Sequence, residues 1–283
     1  MFQITPELRN MLILIYRRYG KVSEPNDNEL QLLFESLSTW KMMIEIYFDC
    51  LRCYSDDGEY IVLTKFIKNS KNVKIIQGKL NDRDVVIKYT RDNMVNKEIE
   101  HYNRLMNMGC SLPWFSNKFK FWRDTVLVLE KLEPITQYDD EYKIGRHVIK
   151  QLRHVHTFGC HSDIKPSNIM KKKVNKKYKY FLIDYGGMAT KPLNDGYRRW
   201  TWTKNWTTQD YHVKNQVITP RHDLLELCVV LNAIQNKRKS KEKNNKMIDS
   251  SYISNEYNDR LKSYIVALND MTDIYNRLLS ILK

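Results

Sequence analysis

Apolar residues recur at helical spacing through the first sixty positions, then switch near Tyr60 to short alternating runs separated by turns. "TPELRNMLILIYRRYG" at 5–20 opens with Thr5 as an N-cap and Pro6 at the first helical position, and Gly20 closes it. "NDNELQLLFESLSTWKMMIEIYFDCLRCY" at 26–54 keeps the helical spacing, with Leu30, Leu33, Phe34 and Leu37 on one face. "SDDGE" at 55–59 breaks the pattern and marks a domain boundary. The runs "YIVLTKFI", "VKIIQGKL", "DVVIKYT" and "DTVLVLE" then predict strands rich in Val and Ile. One helical segment, "NMVNKEIEHYNRLMNMG", interrupts them and stops at Gly109. Beyond Pro134 the chain turns mostly helical, except for "SNIMKKK" and "YKYFLID", which pair as a hairpin across "VNKK". The order predicts an α+β protein: a helical extension over 1–59, a strand-rich lobe over 60–133 and a helix-rich lobe over 134–283.

Composition narrows this picture only a little. The chain has 283 residues, 42% hydrophobic and 28% charged, which describes a globular protein with room for a core. Its longest early apolar run, "MLILIY" at 11–16, is too short to span a bilayer and lacks a signal-peptide pattern. A reducing compartment, cytoplasm or nucleus, is therefore expected, with no membrane partner. Five cysteines, an odd number, agree with that. Cys50 and Cys53 form one CxxC with no second pair at zinc spacing, so they read as ordinary thiols. The net charge of +14 changes more: such a field attracts phosphate, in nucleic acid, nucleotide, phosphoprotein or acidic peptide.

The chemistry concentrates in "CHSDIKPSNIM" at 160–170, which sets His161, Asp163, Lys165 and Asn168 within eight residues. This stretch resembles the catalytic loop of the eukaryotic protein kinases, and the following "Asp184-Tyr185-Gly186" resembles their metal-binding motif. Phosphoryl transfer needs an in-line hydroxyl, a cation on the phosphates and metal ions that neutralise developing charge. The resemblance implies that Asp163 accepts the hydroxyl proton and that Lys165 lies beside the transferring phosphate. It makes Asn168 and Asp184 oxygen ligands to Mg2+. Lys88 in "VVIKY" corresponds to the strand lysine that grips the first two phosphates of ATP. Glu98 in "KEIEHY" corresponds to its ion-pair partner, with Glu100 as the rival.

Further segments resemble the casein kinase I and vaccinia-related kinase group. "VLVLEKLEP" at 126–134 matches its fifth strand and hinge, which implies Leu129 as gatekeeper and adenine bonded to the backbone of Glu130 and Leu132. "WTTQDYH" at 206–212 and "PRHDLLEL" at 220–227 fall where that group has its substrate segment and the helix carrying the buried carboxylate, here Asp223. Thr203 takes the place of the threonine that bonds the catalytic aspartate and lysine. Ser162 stands where many kinases have arginine, which removes the phosphate receiver of an activation-loop switch. Together these imply a bilobal protein-kinase-like fold with a reduced C-lobe, using ATP and Mg2+. The compact, Lys- and Asn-rich chain suggests a divergent member of viral type, with the source left open by composition.

The departures lie chiefly in the phosphate loop. Aligned on Ile75 and Gly78, "FIKNSKNVKIIQG" puts Lys68, Ser70 and Val73 where the family has three glycines, and Asn72 at the tip. Backbone amides approach phosphate closely only where glycine permits it, and β-branched Val73 is the poorest substitute. After Asn236 the helical subdomain is cut to fewer than fifty residues, beginning with "NKRKSKEKNNK".

Three functions stay open at this level. One is a serine/threonine kinase, the class that Lys165 marks, acting on acidic or already phosphorylated protein substrates. Another is a kinase-shaped binding protein without transfer, and the last is a basic nucleic-acid-binding protein. The lysines at 171–179 read as solvated hairpin residues, with a phosphate- or acid-binding surface as the alternative. The tryptophans of "RRWTWTKNW" at 198–206 suit packing beneath a substrate groove more than stacking on bases. His101, His147 and His154 read as core or surface residues.

Overall fold

A computed structural model describes residues 25–37, 52–69, 73–90, 94–121, 124–193, 196–198, 217–239 and 274–282, with the isolated positions Ile13 and Ile248. It divides into two compact units, one formed by Met1–Val95 and Phe115–Lys131, the other by Asn96–Trp114 and Leu132–Lys283. Among the described residues no helix is long and apolar enough to cross a membrane. The helix expected at 5–20, with its Thr5 cap, lies outside the described residues.

Among the described residues, the first continuous element of the first unit is helix α1, Asp27–Leu37. Its start is a reciprocal capping box: Glu29 N donates to Asn26 Oδ1 at 2.9 Å, and Asn26 N donates to Glu29 Oε2 at 3.0 Å. Leu30 is buried on this helix, as its periodicity requires. The unit is dominated by an eight-stranded antiparallel sheet: β1 Arg52–Ser55, β2 Tyr60–Asn69, β3 Val73–Leu80, β4 Arg83–Thr90, β5 Phe115–Ser116, β6 Phe119–Phe121, β7 Asp124–Thr125 and β8 Leu127–Glu130. Their spatial order is β5-β8-β4-β3-β2-β1-β6-β7.

β1 departs from the helical reading of "CLRCY". Four residues are too few to separate the two periods, and the deciding feature is the turn that follows. Ser55 N donates to Glu59 O, and Gly58 N donates to Ser55 O with Gly58 at φ +86, which closes a β1–β2 hairpin. The break at "SDDGE" is thus a hairpin turn inside the sheet. Asn81 and Asp82, both at positive φ, join β3 to β4 in the same economical way.

Alternation sorts this sheet into two faces. Ile76, Gly78 and Leu80 on β3 and Val85 and Ile87 on β4 are buried, while Val73, Ile75, Gln77 and Val86 are half-buried. Gly78 permits the close strand packing. A Cβ there would lie 2.7 Å from Ile61 Cγ2, 2.9 Å from Ile87 Cδ1 and 2.9 Å from the Val62 carbonyl oxygen. The carbonyl belongs to the paired strand and cannot swing aside. Gly78→Ala is therefore expected to lower stability by roughly 1–3 kcal/mol through overpacking. An unchanged urea-unfolding midpoint would show instead that β2 and β4 yield without cost.

The second unit carries helix α2, Met94–Asn107, nearly all of which belongs to it, and helix α3, Glu141–Val155. Asp140 caps α3 by accepting from Lys143 N, and Ile144, Val148, Ile149, Leu152 and Val155 bury one face. Strands β9 Glu133–Pro134, β10 Ile169–Val174 and β11 Lys177–Leu182 form a three-stranded sheet in the order β11-β10-β9. The β10–β11 hairpin turns at Asn175 and Lys176, at φ 47 and 66. A second small sheet joins β12 Pro192–Leu193, β13 Gly196–Arg198 and β14 Val217–Ile218. Helix α4, Pro220–Lys239, is buried on all sides from Asp223 to Ile234, and helix α5, Ile274–Ile281, packs on α3. A helix buried on all sides marks the centre of a core.

Candidate active site

The loop at 160–168 is fixed before its chemistry is considered. Cys160 and Ala189 exchange two backbone hydrogen bonds at 3.0 and 2.9 Å. His161 is buried, donates from Nε2 to Ile183 O at 3.0 Å, and meets the Tyr185 ring edge-on at 5.4 Å. Ser162 holds φ at 67, a conformation that non-glycine residues resist, and its hydroxyl donates to Gly187 O at 2.9 Å.

Two carboxylates one helical turn apart on α4 hold that strained backbone. Asp223 accepts from His161 N at 2.6 Å and from Ser162 N at 2.8 Å, and Glu226 accepts from Ile164 N at 2.9 Å. His156 adds a third donor, Nε2 to Asp223 at 2.9 Å, while its Nδ1 meets the Tyr275 hydroxyl at 2.5 Å. Burial pushes the Asp223 carboxyl upward, but the His156 bond and charge, the charge of His161 and the Ser162 amide outweigh it. The group is held below the usual carboxylate range. His156, Cys160 and Asp223 also stand within 4.8 Å of one another, a spacing that suits a metal ion. Both Asp223 oxygens are already engaged by loop and imidazole donors, which accounts for the cluster.

On this platform three of the expected residues, Asp163, Lys165 and Asn168, meet. Asp163 Oδ2 accepts from Lys165 Nζ at 2.6 Å, and Asn168 Nδ2 donates to Asp163 O at 2.9 Å and to Oδ2 at 3.3 Å. The Asp163 and Lys165 side chains each keep about a fifth of their surface open, enough for a reactant to reach them. Asn168 sits in a 3-10 turn over Pro166–Asn168, and Ile183 N donates to its carbonyl at 2.9 Å, tying the loop to the end of β11. Asp184 follows at φ 68 and ψ 59, in the left-handed region. Its neighbour Tyr185 is buried, donates to Leu182 O at 3.0 Å, and packs edge-on against Tyr102 of α2 at 5.0 Å. His101 Nδ1 lies 2.8 Å from Tyr185 O. Glu98 is buried one turn before Tyr102. Burial first, then the Glu98 charge, pushes the Tyr102 phenol well above its ordinary value.

In the first unit, Lys88 lies on β4 with 9% of its surface exposed, directly opposite Ile75 on β3 and Leu127 on β8. Leu129 stands opposite Val86, two residues along the same face. Ile75, Val86 and Leu129 are therefore half-buried apolar residues beside Lys88 in the sheet. β8 ends at Glu130, and Leu132, half-buried, begins the longer segment of the second unit. Lys68 is exposed opposite Ile75, and Val73 begins β3. Ser70, Lys71 and Asn72 lie outside the described residues, as do Thr203 and the segment 206–212.

Glu226 and His156 were not singled out by sequence. The i, i+3 spacing of Asp223 and Glu226 on one helix was the available signal for the first. Nothing local pointed to the second, whose partners lie 67 and 119 positions away. Cys53 and Cys228 are buried, and burial pushes both thiols up to about 12, in keeping with inert core residues.

No family model matches the sequence, and no curated protein matches it. Solved structures do match. One, "Structure of vaccinia related kinase 3", superposes with a TM-score of 0.57 at 12% sequence identity, covering 86% of this chain and 94% of that chain. At that identity the likeness shows the fold: α+β, bilobal and protein-kinase-like.

Proposed function

We propose that this kinase-like chain transfers the terminal phosphoryl group of ATP to serine or threonine hydroxyls of proteins. The observation that carries the proposal is the grouping of Asp163, Lys165 and Asn168 within hydrogen-bond reach, on a loop braced by two buried carboxylates. Asp163 takes the hydroxyl proton as the new O–P bond forms and the bond from the γ-phosphorus to the bridging oxygen breaks, its electron pair leaving on ADP. Lys165 offers positive charge where the phosphoryl oxygens gather it. Lys88 grips the first two phosphates, and Ile75, Val86 and Leu129 receive the adenine.

The donor set suits magnesium. Asn168 spends its amide N–H on Asp163, which leaves the harder carbonyl oxygen as a ligand, and Asp184 supplies a carboxylate. Bound there, magnesium neutralises charge on the phosphate oxygens. The basic chain favours acidic or already phosphorylated protein substrates.

A second proposal, a kinase-shaped binding protein without transfer, draws on Lys68 and Val73 standing where close phosphate approach calls for glycine. Incubation with Mg-ATP and an acidic protein such as casein separates the two. Phosphoserine or phosphothreonine above the background of Asp184→Asn supports transfer, and its absence supports the binding protein.

A further inference from the structure

A trough of about 880 Å³ lies within the second unit, between α3 and the β10–β11 hairpin. From α3, Lys143, Arg146 and Lys150 face it at i, i+3 and i+7 spacing, so one helical face supplies all three. The hairpin supplies Lys171, Lys176, Lys177 and Lys179. Only two carboxylates line the same space. Asp139 accepts Lys171 Nζ at 3.0 and 2.8 Å and the Tyr180 hydroxyl at 3.0 Å, and Asp140 pairs with Lys143 at 3.0 Å. No carboxylate among the lining residues answers the other five cations.

The fold keeps this charge at a cost. Lys172 and Lys179 stand directly opposite each other across the hairpin, where like charges destabilise a strand pair. Lys176 occupies the left-handed turn position that glycine would fill without strain. His147 lines the trough among these cations: burial, and then Lys150, Lys179, Arg146 and Lys143, hold its imidazole below its ordinary range. Two aromatic rings lie beside the cations: Tyr138 is 64% exposed, and Tyr178, 39% exposed, has Lys171 Nζ 4.7 Å from its ring centroid.

We propose that this trough binds single-stranded nucleic acid, independently of the kinase reading. Six of its seven cations are lysines, compact point charges suited to a row of singly charged phosphodiesters. A phosphorylated side chain would call for the planar fork of arginine, which occurs here once. Tyr138 offers an open ring on which a base stacks, and Tyr178 adds a partly exposed one.

Fluorescence anisotropy with labelled short oligothymidylate and oligouridylate tests the proposal with the full chain. The triple variant Lys150→Glu, Lys177→Glu, Lys179→Glu should bind at least about tenfold more weakly and lose about two units of salt slope. A control with the same charge change on exposed lysines elsewhere, Lys65→Glu, Lys97→Glu, Lys239→Glu, should stay within about threefold of the parent. Tyr138→Ala with Tyr178→Ala should weaken binding about fivefold or more with the salt slope intact. Where the glutamate variant fails to fold, the glutamine version at the same three positions is read the same way. Equal weakening by trough and control variants would overturn the proposal in favour of the chain's overall field. Tighter binding of a doubly phosphorylated serine peptide than of either oligonucleotide would overturn it in favour of a phosphopeptide site.

Discussion

Replacing Asp163 with asparagine is expected to lower phosphate transfer to protein by roughly 10²–10⁴-fold, the range a positioned general base supplies. Asparagine keeps the size of the carboxylate and still accepts from Lys165 Nζ, now 2.6 Å from Asp163 Oδ2, and from Asn168 Nδ2. What it loses is the capacity to take a proton. The ion pair it weakens is partly open to water, where such pairs contribute about 0–1 kcal/mol. Transfer should therefore collapse while the unfolding midpoint barely moves. A fall in both together would assign Asp163 a structural role, and an unchanged rate would remove it from the chemistry. Initial rates with Mg-ATP, set beside thermal melts of the same preparations, read both quantities.

The opposite signature belongs to Asp223. Asp223→Ala leaves the His161 and Ser162 amides and the His156 imidazole without their shared acceptor in a buried place. Removing one partner from such an arrangement costs about 3–5 kcal/mol. At roughly 2–4 °C per kcal/mol for chains approaching this size, the midpoint should fall by several degrees or more. Asp223→Asn should fall less, because its remaining oxygen still accepts one amide. The effect also carries a pH signature. The folded carboxyl titrates below its unfolded value, so its contribution is fully present above the unfolded pKa of about 3.9. It is lost as pH falls from there through the lower folded value. Parent and Asp223→Ala should therefore converge in stability on the acid side of about pH 4, and stay apart near neutrality. Equal stability at pH 7 would show that the loop does not depend on this brace.

The contrast between these two residues explains what could be read from sequence. The loop at 160–168 was legible as the candidate site because His161, Asp163, Lys165 and Asn168 are neighbours along the chain and their spacing is itself the signal. Three of the four strand runs were legible as β2, β3 and β4 because alternation repeats over eight or so positions. The fourth, "DTVLVLE", divides into β7, which pairs with β6, and β8, which pairs with β4 and β5. β1 was not legible, since Arg52–Ser55 is too short for period 2 to outweigh the helical run before it. The bracing of the loop was half legible. Asp223 stood out by resemblance, whereas Glu226, His156 and Tyr275 acquire their roles only through tertiary contacts. The trough was least legible of all. The hairpin lysines look like a solvated charge run until α3 sets Lys143, Arg146 and Lys150 opposite them.

The central claim, that this chain binds Mg-ATP in order to hand on its last phosphate, rests most directly on nucleotide titration. Isothermal calorimetry with a non-hydrolysable ATP analogue should give saturable binding that needs magnesium, weakens in Lys88→Ala, and loses its magnesium dependence in Asp184→Asn. Absence of binding with and without magnesium, in a parent protein that melts cooperatively, would contradict it.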